Sequence, residues 1–195
     1  DAPSRPQEPK GAIPYHEEEI KYSNLTADVT LAGTLTLPRS EKPSPAVLLI
    51  AGSGPNDRNE TVFGHKPFLV LADHLTKQGI AVLRVDKRGV GQSTGNYNVS
   101  TSEDFATDVL AGVEYLKTRK EVDAEQIGLI GHSEGGLIAP MVAVKSNDIA
   151  FIVLMAGTGV TGEATLYAQE ALISSAMGVT EEQIGHQLDF QKKVV

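Results

Sequence analysis

Four runs of apolar residues with almost no polar interruption constrain this chain more than any other feature. They are "AVLLIAG" at 46–52, "IAVLRVD" at 80–86, "IGLIG" at 127–131 and "IAFIVLMAG" at 149–157. A strand with one wet face alternates polar and apolar residues, whereas a strand covered on both faces need not, so these runs predict buried strands. Helical patterns lie between them. One starts at Pro67, whose missing N–H is no loss in a first helical turn, places Phe68, Leu71 and Leu75 on one face, and stops at Gly79. Another is predicted to open on a capping box, Ser100-x-x-Glu103, to turn Phe105, Val109, Val113 and Leu116 inward, and to end in Lys117, Arg119 and Lys120. Strands alternating with helices give an α/β fold, a mostly parallel sheet with helices on both faces. Its ligand site should lie at the carboxyl ends of the strands.

The flanks behave differently. "HEEEIKYS" and "DVTLAGTLTLP" alternate and predict two antiparallel strands ahead of the parallel part. Before them, residues 1–14 carry prolines at 3, 6, 9 and 14 and are expected to form an extended tail, leaving 15–159 as the core. After 160 no strand is evident. "EATLYAQEALISSAMG" is helical, with Leu166, Ile173 and Met177 near one face, and Thr180-x-x-Gln183 caps a second helix carrying Ile184 and Leu188.

Composition removes whole classes of function. The formal charge of −8, without a basic stripe, argues against nucleic acid. The absence of cysteine excludes disulfides, thiolate metal sites and a thiol nucleophile. The five histidines offer no metal-ligand spacing with a third ligand, so neither metal nor cofactor is expected. No apolar run is long enough to cross a bilayer, and a small-molecule substrate is the expected partner. A chain that opens on Asp1 with a proline-rich tail fits a periplasmic or secreted protein after signal cleavage, with a cytoplasmic location also open.

One hydroxyl stands out. In "LIGHSEGGLIAP", residues 129–140, Ser133 follows an apolar strand, precedes a helical pattern and is framed as Gly131-His132-Ser133-Glu134-Gly135. That is G-x-S-x-G in a strand–turn–helix context. Such a turn holds the serine in a strained conformation above the sheet edge, while the glycines let strand and helix approach. The Glu134 N–H, opening the helix, is placed to meet the oxyanion of a tetrahedral intermediate.

Together with "LLIAGSGPNDRN" and "VLRVDKRGVGQS", this stretch resembles the α/β-hydrolase superfamily, particularly its bacterial esterases and serine-aminopeptidase-like members. The resemblance runs from about Pro14 to Thr158. It implies that Ser133 is the nucleophile and that the loop after the first parallel strand supplies a second oxyanion N–H. Ser53 is the candidate donor, with Gly54 beside it as the other choice, and Ala51 stands where many relatives carry histidine. Asn56, Asp57 and Arg58 are expected to order this loop, and Asp86, Lys87 and Arg88 to fix the next one by hydrogen bonds. By the same resemblance, 160–195 is the expected start of a lid.

A serine hydroxyl needs a base, normally a histidine oriented by a carboxylate, and the family order is serine, acid, histidine. After Ser133 the one histidine is His186, inside the last helical pattern. The family's later strands, which would carry acid and base, have no counterpart in these 195 residues. His65 lies on the wrong side of Ser133 in sequence, and His132, on the turn itself, should point elsewhere. The expectation is therefore a serine hydrolase of carboxylic esters whose acid and histidine come from sequence beyond residue 195, the present segment being inactive alone. A peptidase or thioesterase of the same fold, and a non-catalytic binding domain that has lost its triad, are the alternatives.

Overall fold

The structure, a computed structural model, describes residues 5–193. The chain divides into two compact units, Asp1–Gly157 and Thr158–Val195. The first contains a six-stranded sheet in the order β1-β2-β4-β3-β5-β6. β1 (His16–Asn24) and β2 (Val29–Leu37) form an antiparallel hairpin, and β2 also runs antiparallel to β4 (Ala81–Val85). β3 (Ser44–Ile50) pairs in parallel with both β4 and β5 (Val122–His132), and β5 in parallel with β6 (Phe151–Met155). The tail expected over 1–14 has no helix or strand at 5–14, and its first four residues lie outside the described residues.

The central strand shows why the apolar runs are continuous. Successive side chains of a strand point to opposite faces. Leu48 and Ile50 enter one core with Phe105, Val109 and Val113 of α2 (Ser102–Lys117) and Ile138 and Val142 of α3 (Glu134–Ala143). Val47 and Leu49 enter the other, with Phe68 and Ala72 of α1 (Pro67–Lys77). Both faces are therefore dry.

Two details depart from the sequence expectations. The capping box of α2 is Thr101 with Asp104, one residue later than Ser100 and Glu103. Ser100 is already committed to the preceding 3-10 turn at Tyr97–Val99, its Oγ donating to the Asn96 carbonyl at 2.8 Å. In β2, Thr34 and Thr36 are buried instead of wet. Thr36 shares a 2.6 Å hydroxyl bond with Thr76 of α1, and Thr34 accepts from the Arg58 guanidinium and donates to Glu19. A polar side chain with partners can face inward as cheaply as it faces water.

The second unit holds α4 (Gly162–Ala176) and α5 (Glu181–Gln191), capped by Thr161 and by the Thr180–Gln183 box. Ser174 is the one buried residue of α4, and α5 has none.

Candidate active site

Ser133 sits between β5 and α3 with φ +53° and ψ −114°. Positive φ in a side-chain-bearing residue costs on the order of 1–3 kcal/mol and persists only where its surroundings impose it. Two close approaches impose it here. A Cβ on Gly131 would lie 2.0 Å from the Gly135 carbonyl oxygen, and one on Gly135 would lie 2.1 Å from the Ile50 carbonyl oxygen. Glycine alone lets the turn close this tightly. Ser133 is half-buried, and its Oγ makes no capping bond to α3.

The loop after β3 passes directly over this turn. A Cβ built on Gly52 would meet Ser133 Cβ at 3.1 Å. Beyond it, the Gly54 N–H donates to the Tyr97 hydroxyl at 2.9 Å, whereas Ser53, which is exposed, has no acceptor for its N–H among the described residues. Of the two oxyanion candidates in this loop, Gly54 is thus occupied and Ser53 is free. Glu134 is the first residue of α3, so its N–H has no intrahelical acceptor.

Polar and charged side chains hold the loop from both sides. The Asn56 amide donates to the carbonyls of Gly52, Ser53 and Gly54 at 2.8, 3.0 and 3.3 Å. Lys87 Nζ donates to the Gly52 carbonyl at 2.6 Å and to Glu134 Oε2 at 3.0 Å, while lying 4.6 Å from the centre of the Phe105 ring. Burial pushes the Lys87 ammonium below its ordinary pKa, and the Glu134 carboxylate offsets only part of that. Glu134 Oε1 in turn accepts from Ser102 Oγ at 2.9 Å. On the α1 side, buried Glu60 accepts from the Gly52 N–H at 2.6 Å and lies 2.8 Å from His132 Nδ1. Glu60 also has positive φ, +51°.

The neighbouring ion pairs have the ordering role expected of them. Arg58 gives Asp86 three hydrogen bonds, from its backbone N–H, Nε and Nη2, and ties Glu19 and Thr34 to the same cluster. Burial alone would raise the Asp86 carboxyl; the Arg58 bonds outweigh it and hold the group below the usual carboxylate range. Arg88 grips Asp108 through Nε and Nη2, both at 2.8 Å. Asp57 accepts from Asn59 and Thr61 and so closes its own turn.

No imidazole pairs with Ser133 Oγ among the described residues. His132 is turned to Glu60, and His65 Nδ1 lies 3.4 Å from Gln7 Nε2. Beside the elbow runs a groove of about 480 Å³ lined by Glu60, His65, Phe68, Leu71, His132 and Met155, among others. No group of three potential metal ligands occurs among the described residues. Glu60 and Tyr97 were not legible as site residues from sequence. Their only signals are an ordinary loop glutamate and a tyrosine after Gly95-Asn96, and neither carries a motif.

The model of the family described as serine aminopeptidase, S33, matches residues 66–182. The esterase EstD of Thermotoga maritima is 37% identical over 129 residues, covering 66% of this chain and 31% of its own length. Human dipeptidyl peptidase 8 is 30% identical over 187 residues, covering 90% of this chain and 19% of its own. Among solved structures, a Pyrococcus furiosus esterase superposes with a TM-score of 0.66 at 22% identity, covering 91% of this chain and 61% of that one. This chain therefore spans about a third or less of the length of those two curated relatives.

Proposed function

We propose, from the premise that this chain belongs to the serine aminopeptidase S33 family of α/β hydrolases, that Ser133 is the nucleophile of an enzyme that cleaves carboxylic esters. The observation that carries the reading is the strained Ser133, its hydroxyl unbonded to α3, beneath a loop whose Ser53 N–H is unpaired. Ser133 Oγ attacks the acyl carbon and gives up its proton to a base, while the carbonyl π electrons move onto oxygen. The Ser53 and Glu134 N–H groups receive that oxyanion. Collapse expels the alcohol, which takes the proton, and leaves an acyl-enzyme. Water then adds in the same way, releases the acid and restores the hydroxyl. We assign the histidine base and its carboxylate to polypeptide outside residues 1–195.

The similarity to a dipeptidyl peptidase over 90% of the chain favours a second reading, amide cleavage by the same serine. A substrate panel separates them. The full-length polypeptide should release nitrophenol from p-nitrophenyl acetate and butyrate with a burst equal to the enzyme concentration, and a fluorophosphonate should label Ser133. Ser133→Ala should abolish both, with a loss on the order of 10⁶ in kcat. Turnover of dipeptidyl anilides in preference to esters would replace the esterase reading with the peptidase one. Labelling of the isolated 195-residue chain as fast as the full-length protein would refute the assignment of the base outside it. No turnover and no labelling of the full-length protein would leave a binding domain.

A further inference from the structure

The residues on either side of Ser133, His132 and Glu134, are each tied to the same loop residue, Gly52, through one buried charge. Glu60 joins His132 to the Gly52 N–H, and Lys87 joins Glu134 to the Gly52 carbonyl. The second tie has a specific consequence. The Gly52 carbonyl and the Ser53 N–H belong to one peptide group, which is planar and trans, so the two bonds point in opposite directions. Whatever fixes the carbonyl aims the amide hydrogen. Lys87 Nζ at 2.6 Å and Asn56 Nδ2 at 2.8 Å hold that carbonyl, and the same ammonium holds the side chain of Glu134.

We propose that Lys87 is the positioning residue of the oxyanion hole, setting the direction of the Ser53 N–H through the Gly52 carbonyl and its distance from the Glu134 N–H through the Glu134 carboxylate. This rests on the assignment of Ser133, Ser53 and Glu134 made above. Lys87 does not touch the reacting atoms. It acts by orientation, and by polarisation: a cation on the carbonyl oxygen of an amide makes the N–H of that amide a stronger donor. A lysine with an 8% exposed side chain is costly to desolvate, and here its ammonium lies against the Phe105 ring and is spent on the Gly52 carbonyl and the Glu134 carboxylate.

The test uses the full-length polypeptide with Lys87→Met and Asn56→Ala, active sites being counted by burst titration so that misfolded molecules drop out. Removing one oxyanion donor costs roughly 10²–10³ in rate, so K87M should lower kcat by about 100-fold with KM within threefold. N56A, which leaves the ammonium in place, should lower kcat by at most about tenfold, the worth of one hydrogen bond. A trifluoromethyl ketone, whose adduct with Ser133 carries the oxyanion, should lose affinity in proportion to the loss in kcat/KM across both variants. A purely structural role would lower the titrated site count and leave kcat per site and ketone affinity unchanged; that result, or a rise in KM alone, overturns the proposal. If K87M yields no folded protein, N56A decides by the same two readouts. If the wild type hydrolyses no substrate, the esterase reading fails separately. The crystal structure of either variant then decides the orientation claim: a rotated Gly52–Ser53 peptide upholds it, and an unmoved one overturns it.

Discussion

β5 and β6 are neighbours in register, Leu129 opposite Ile152 and Ile130 opposite Val153, and both are apolar, yet they live in different environments. In β5, Ile127 and Leu129 are fully buried and the strand ends in the elbow, where carbonyls, amides and charges are tied together by Glu60, Lys87, Asn56 and Tyr97. In β6, Val153 is 43% exposed, Leu154 46% and Met155 39%. An apolar run identifies a strand; its burial depends on what lies beside it. The corner formed by the ends of β3, β4 and β5 is braced around Ser133, Gly52 and Glu134. Among the described residues, β6 is the last strand of the sheet, and its exposed apolar side chains have no such bracing.

That contrast can be broken most severely at Asp86. Asp86→Asn leaves the half-buried Arg58 guanidinium with exposed Glu19 as its remaining anionic partner and should cost about 3–5 kcal/mol in urea unfolding. The sign with pH follows from the lowered folded pKa of Asp86. Its carboxylate stabilises the fold above the unfolded-state value, roughly 4, and that contribution disappears as pH falls through the lower folded value. The difference between wild type and D86N should be constant above about pH 5 and shrink below pH 4. A gap that widens in acid would contradict it.

The strands themselves give the next effect. In the isolated 195-residue chain, Leu129→Ala should destabilise by about 2–5 kcal/mol, the cost of a cavity in a dry core, whereas Val153→Ala should cost under about 1 kcal/mol. Equal losses would mean that β6 is covered as well as β5. The smallest expected effect is at Tyr97. Tyr97→Phe frees the Gly54 N–H to compete with Ser53 for the oxyanion, and a single neutral hydrogen bond is worth about 0.5–1.5 kcal/mol. Turnover should fall by less than about tenfold, and a loss of about 100-fold would mean that the Tyr97 bond to Gly54 orders the loop as strongly as an oxyanion donor acts.

Much of this was legible in the residues. Continuous apolar runs found the parallel strands, alternation found the β1–β2 hairpin, and Gly131 and Gly135 marked a turn that only glycine can close. What was not legible is long-range. Ser100 and Thr101 are equal capping candidates until the Tyr97–Val99 turn claims Ser100. Thr34 and Thr36 read as solvent-facing because nothing in β2 announces Arg58 and Thr76 as partners. Glu60 acquires its role only when β5 brings His132 beside it, 72 residues away in sequence. Local propensity is written in neighbours along the chain, whereas a buried charge is defined by neighbours in space.

The most direct measurement is a crystal structure of the full-length protein carrying a phosphonate on Ser133. With the adduct formed, the phosphoryl oxygen should lie about 2.7–3.1 Å from both the Ser53 and Glu134 nitrogens, with Gly54 still donating to Tyr97. A phosphoryl oxygen turned to solvent, or bound by other donors, would contradict the assignment of this corner as the oxyanion hole.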